Sequence, residues 1–195
     1  MGIVTIGVDV GQSRDPTAIA VSEADRASPD ERAQWRHTLR HLERLPLGLP
    51  YPQVAARIAA IVANVGAHMA GGDRPPITLY VDATGVGKPV VDLLVQAGLC
   101  PRGVWFVHGD TRIVRPNGDV SLGKEYLARQ LAGLSRARLL RLPRTAEATA
   151  LAAELMVYER RVCEAGTDTY GAFQANTHDD LATAVGLAVQ WPPYL

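Results

Sequence analysis

Cysteine is almost missing from this chain: Cys100 and Cys163 are the only two, and no motif spacing surrounds them. That argues against a disulfide framework and a cysteine-built zinc site, and it fits a reducing, cytosolic setting. Lysine is equally scarce, with only Lys88 and Lys124 among the basic residues and arginine making up the rest. The 20 basic and 20 acidic residues cancel. A uniformly basic nucleic-acid binder is therefore disfavoured, and any such contact must use a local patch. No apolar run is long enough to cross a membrane, and no basic stretch followed by an apolar one marks a secretory signal. Gly/Ser-rich linkers, internal repeats and low-complexity segments are absent as well. What remains is an ordinary globular composition, 47% hydrophobic and 21% charged over 195 residues. This is the size of one domain, 1–195, around one core.

The apolar pattern sets out the elements. Ile3 to Val10 reads as a buried strand, and Gly11 to Pro16 as a turn. Thr17 to Ser22 reads as the strand's hairpin partner, and Gln34 to Leu45 as a third strand. Val54 to Met69 has helical spacing and stops at the Gly/Pro cluster of residues 71–76. Ile77 to Asp82 is a fourth strand, Pro89 to Ala97 a short helix, and Val104 to Val107 a fifth strand. Asn117-Gly118 marks a loop or hairpin between Thr111 and Gly123. Lys124 to Leu134 is an amphipathic helix, Arg138 to Leu142 a short strand, and Thr145 to Met156 a helix. Val157 to Cys163 and Thr169 to Phe173 read as a hairpin, and Asp179 to Gln190 as the last helix. The expected fold is α/β: a central five-stranded mixed sheet, its first three strands antiparallel and the others parallel, with helices on both faces.

Three acidic features share a grammar. Asp9 ends the first strand and Asp82 the fourth, each preceded by an apolar-x-Val pattern, so the two can share pleat phase. Parallel neighbouring strands would bring them within ~5 Å of backbone separation. Two carboxylates that close repel unless one is protonated or a cation lies between them. A hard divalent cation takes such oxygen ligands. Asp179 and Asp180 open the last helix, whose Ala/Gly-rich interior allows close approach to a sheet. The plainer reading of that pair is a helix start, with Thr177 as cap and acids suiting the dipole. His178 would sit beside them as a loop residue supporting the ligands.

Gly7-Val8-Asp9-Val10-Gly11 with Asp15-Pro16-Thr17-Ala18, then Val81-Asp82-Ala83-Thr84-Gly85-Val86-Gly87, and finally His178-Asp179-Asp180-Leu181 together resemble a known pattern. So does Val120-Ser121-Leu122-Gly123-Lys124 ahead of an amphipathic helix. The chain resembles the nuclease domain of tailed-bacteriophage terminase large subunits, a branch of the RNase H/RuvC-like fold. The resemblance implies an endonuclease that uses two divalent cations, Mg2+ or Mn2+, to cut concatemeric viral DNA during genome packaging in the cytoplasm of the bacterial host. It maps the bridging acid to Asp9, the second to Asp82 and the helix acid to Asp180, with Asp179 auxiliary. It also implies double-stranded DNA, a packaging ATPase domain, a portal and a small terminase subunit as partners, and no membrane. The phosphate-cradling loop of a packaging ATPase, G-x-x-x-x-G-K-[ST], does not occur in the chain. The expectation is a nuclease half without its motor.

Between Thr111 and Arg144, the eight basic residues Arg112, Arg115, Lys124, Arg129, Arg136, Arg138, Arg141 and Arg144 face only Asp119 and Glu125. Lys124, Arg112, Arg115 and Arg129 are the candidates for phosphate contacts, which hold DNA without reading sequence; a solvated helix face is the plainer alternative. Three other readings compete: a RuvC-like junction resolvase, an actin- or sugar-kinase-like nucleotide-binding domain, and a non-catalytic module docking on a packaging motor. The second normally needs two copies of the fold, and the complete acid set speaks against the third.

Overall fold

A computed structural model describes residues 2–11, 15–26, 34–68, 77–164 and 179–190. Strands β1 (Ile3–Asp9), β2 (Ala18–Arg26) and β3 (Trp35–Arg44) come first, followed by α1 (Tyr51–His68). Next are β4 (Ile77–Asp82), a 3-10 turn at Gly85–Gly87, α2 (Lys88–Gln96) and β5 (Arg102–Val107). The hairpin strands β6 (Arg112–Val114) and β7 (Val120–Gly123) lead into α3 (Lys124–Arg136). Strand β8 (Leu140–Arg141), α4 (Ala146–Glu164) and α5 (Asp180–Ala188) complete the order.

The strands form one sheet in the order β6-β7-β5-β4-β1-β2-β3-β8. β1, β2 and β3 are antiparallel neighbours, while β4 joins β1 in parallel and β5 joins β4 in parallel. This is the mixed arrangement the sequence led us to expect, but the strand count is eight rather than five. The extra strands extend both edges: β7 runs parallel to β5 with β6 antiparallel beyond it, and β8 pairs with β3 over two residues. In sequence these segments read as a loop or hairpin around Asn117-Gly118 and a short strand at Arg138 to Leu142; their pairing with the central sheet emerges only in the fold.

A second departure concerns Val157 to Cys163. These residues continue α4 instead of forming a strand. Val157, Tyr158, Val162 and Cys163 favour a strand by residue type, but Glu159, Arg160 and Arg161 between them are good helix formers. Thr169 to Phe173 lies outside the described residues, as does His178.

The pleat divides the core into two layers. On one face Val4, Ile6, Val8, Val10, Ile19 and Val21 pack under Val54, Ile58 and Ile61 of α1 and Val90 and Leu94 of α2. On the other, Ala18, Ala20, Tyr80 and Val104 meet Leu127 and Leu131 of α3, Leu151 of α4, and Leu181, Ala184, Leu187 and Ala188 of α5. The second face is made of small residues under α5 for a geometric reason. A Cβ at Gly7 would stand 2.2 Å from the Ala184 carbonyl oxygen and 2.4 Å from the Ala188 nitrogen. Helix α5 therefore rests with its backbone directly on β1. Among the described residues, no helix is long and apolar enough to cross a membrane.

Candidate active site

Register places the first two acids. Gly7 pairs with Tyr80 and Val8 with Val81, so Asp9 and Asp82 are next in line, in phase, at the carboxyl ends of adjacent parallel strands. They project from the face that α5 covers. This sheet edge is where open α/β folds bind ligands. Asp82 is held in place locally: the Thr84 backbone N–H donates to its Oδ1 at 2.8 Å. The Phe106 N–H donates in turn to the Thr84 hydroxyl at 2.9 Å.

The electrostatics show which charges meet. The Asp9 carboxyl is pushed well above the usual carboxylate range, first by burial and then by the negative charges of Asp82, Asp179 and Asp180, with Lys124 opposing. Asp82 is also raised, chiefly by burial, and is relieved by Thr84, by Lys124 and by a hydrogen bond from Asp9. Burial raises Asp179 too, and Lys124 again relieves it. Asp9 thus feels all three other acids, and Lys124 offsets the burial of Asp9, Asp82 and Asp179. A carboxyl pair of this kind keeps a proton unless a cation takes its place.

Asp179 and Asp180 do not play equal parts. Asp179 occupies the N-cap position of α5 but makes no side-chain cap hydrogen bond, so its carboxylate is not used up as a cap. Asp180 is only 3% exposed at its side chain and is bound by Arg44. The Arg44 Nε donates to Asp180 Oδ2 at 2.5 Å and its NH2 group approaches Oδ1 at 3.5 Å. Arg44 also pairs with Glu154 of α4. The other Glu154 oxygen accepts the Ala182 N–H at 2.9 Å, which caps the start of α5 from a neighbouring helix. Burial pushes the Glu154 carboxyl up to about 7. Neither Arg44 nor Glu154 stands out in the sequence. They lie 136 and 28 residues or fewer from the α5 positions they bind, in segments without motif character.

The candidate phosphate-binding side chains scatter. Lys124 opens α3 directly after β7, and its ammonium sits 5.6 Å from the Phe106 ring centre. Arg112 turns inward, with its Nε donating to Gln190 at 3.2 Å and its NH2 group 3.4 Å from the Tyr80 hydroxyl. Arg115 donates to the Ser121 hydroxyl and stacks on Trp105. Arg129 pairs with Asp110 at 2.7 Å.

Two solved structures align with the chain over most of its length. A crystal structure of the large terminase nuclease from thermophilic phage G20c aligns over 96% of this chain and 81% of its own, with a TM-score of 0.58 and 19% sequence identity. The chain has the terminase nuclease fold. The human cytomegalovirus terminase nuclease domain, soaked with Mn, aligns over 94% of this chain and 80% of its own, with a TM-score of 0.55 and 12% identity. No protein-family model matches, and neither does any curated protein sequence. The likeness to these structures is one of fold, at low sequence identity. Among the described residues, no three His, Cys, Asp or Glu side chains are gathered tightly enough to hold a metal ion as they stand. The acids nevertheless fit one chemically: they are all-oxygen donors, and the Asp9 carboxyl, raised first by burial and then by its acidic neighbours, is one whose charged form a hard cation would stabilise.

Proposed function

We propose that this protein is a metal-dependent endonuclease acting on double-stranded DNA, with Asp9, Asp82 and the Asp179/Asp180 pair supplying its ligand acids. The observation that supports this most directly is the field of Asp82, Asp179 and Asp180 at Asp9, at the carboxyl edge of a terminase nuclease fold. When bound, two divalent cations, Mg2+ or Mn2+, would supply Lewis acidity to ready a water for attack and to balance charge on the leaving oxygen.

The chain's own residues do the rest. Asp9 and Asp82 present adjacent carboxylates from rigid strands, and Thr84 fixes the rotation of Asp82 through its backbone N–H. Asp179 arrives from the opposite side on α5. Lys124 faces this group from α3 and offers a positive charge to a phosphate oxygen. Contacts from separately placed basic side chains such as Lys124 reach backbone phosphates and not base edges, so little sequence specificity is expected. By the resemblance to terminase nucleases, the biological setting would be the cutting of concatemeric viral DNA during packaging in the host cytoplasm. The partners would be a packaging ATPase domain, a portal and a small terminase subunit.

The test is plasmid cleavage by the purified chain. Cutting should require Mn2+ or Mg2+ and stop with EDTA, and Asp9→Asn should reduce it by on the order of a thousandfold or more. Full activity in Asp9→Asn would sink the reading. Running linear, supercoiled and four-way junction DNA side by side separates a packaging nuclease from a junction resolvase.

A further inference from the structure

Arg44 stands in the same cross-strand row as Asp9. Asp9 pairs with Ala18, and Ala18 pairs with Arg44. All three residues have the parity of the face under α5, with Ala18 between the acid and the arginine in the row. From that place Arg44 grips Asp180 at two points and Glu154 at a third. Glu154 reaches on to the Ala182 N–H. One cation thus joins β3, α4 and the first turn of α5.

Asp180 is the first residue of α5, and Asp179, its N-cap with φ −124° and ψ 15°, stands outside the helical turn. Both charges are felt at Asp9, but Asp180 is committed to Arg44 while Asp179 makes no cap hydrogen bond that would hold it back. The side chain that is gripped is held back, and the other is presented. We propose that Arg44, seconded by Glu154, is a latch that selects Asp179 for the acidic cluster by holding Asp180 out of it. Arg44 is a positioning residue: it touches neither DNA nor cation, and acts by deciding how many carboxylates the cluster contains. This inference rests on the metal-dependent nuclease reading.

The latch makes a directional prediction that ordinary damage does not. Arg44→Met removes a positive charge beside the cluster and frees a carboxylate to enter it. Mn2+ affinity of the full chain, measured by electron paramagnetic resonance or calorimetry, should rise by about tenfold. Cleavage at saturating Mn2+ should fall by about 10–100-fold, because the added ligand occupies a place meant for water or phosphate. Arg44→Lys keeps the charge and loses the fork, and should fall between. A loosened α5 would weaken affinity and cleavage together.

If Arg44→Met does not fold, Arg44→Met/Glu154→Met removes both charges, suits an apolar pocket, and carries the same expectation. A folded variant, by circular dichroism, whose Mn2+ affinity is unchanged or lower overturns the latch. Wild-type protein that binds Mn2+ and cuts no DNA sinks the nuclease reading alone and leaves the affinity change to decide the latch. Wild-type protein that binds no Mn2+ overturns both.

Discussion

The two faces of the sheet are built by opposite rules. Under α1 and α2, β-branched and leucine side chains fill the space, and the Glu43–Arg57 pair stands only at its partly exposed margin. Under α5, alanine and glycine bring backbones together, and the room left over is given to Asp9, Asp82, Asp180, Arg44 and Glu154. The first face has the makings of stability, since each fully buried aliphatic side chain contributes roughly 1.5–3 kcal/mol. The second gives up some of that burial to fix charges in place. Chemistry and cohesion are thus assigned to different sides of the same strands, and a residue's parity in β1 tells which task it serves.

That division can be broken from either side. Gly7→Val puts side-chain atoms where the Ala184 carbonyl and the Ala188 nitrogen already stand. The helix must shift, and Asp179 with it. Cleavage should fall by about a hundredfold, since an ångström of misplacement is enough, and the melting temperature should drop as well. On the opposite face, Ile58 is fully buried. Ile58→Ala should cost roughly 4 kcal/mol in urea unfolding, with cleavage per folded molecule unchanged. An equal loss of specific activity in the two variants would erase the contrast between the faces.

A smaller effect lies at the far end of the α5 face. His37 is fully buried, with its Nδ1 3.3 Å from the Ser22 hydroxyl and its Nε2 without a partner. Burial lowers its pKa to about 4 from an unfolded value of 6.5, against a small opposing pull from Asp25. The unfolded chain takes up the proton first as pH falls. Stability is therefore complete above pH 6.5 and declines down to about pH 4, by on the order of 3 kcal/mol from this group. Chemical denaturation at intervals across that range measures the slope, and His37→Phe should flatten it.

How much of this could be read in the sequence follows from range. Asp9 and Asp82 carry their own context, an alternating apolar run before and a glycine turn after, so strand, parity and edge position were all legible. The five central strands were legible for the same reason, and Arg138 to Leu142 was legible as a short strand, but its pairing with β3 at the sheet edge was not. Helix α5 was visible through its composition. The different roles of Asp179 and Asp180 were not: nothing near residue 180 reveals that Arg44 is waiting for it. The inward turn of Arg112 was hidden likewise, because Gln190 and Tyr80 meet it only through folding. Charges that neighbours in space will neutralise look, in one dimension, like a basic patch.

The bare seat of α5 on β1 has one further consequence. Where two main chains touch with no side chain between them, their separation is set by atoms common to every residue. The surrounding positions can change widely while the distance across the cleft stays put, because no spacer exists there to lengthen or trim. Anyone seeking to retune this cleft by swapping nearby aliphatics should find it stubborn. The single hydrogen that distinguishes Gly7 from every larger residue is the dimension on which it turns.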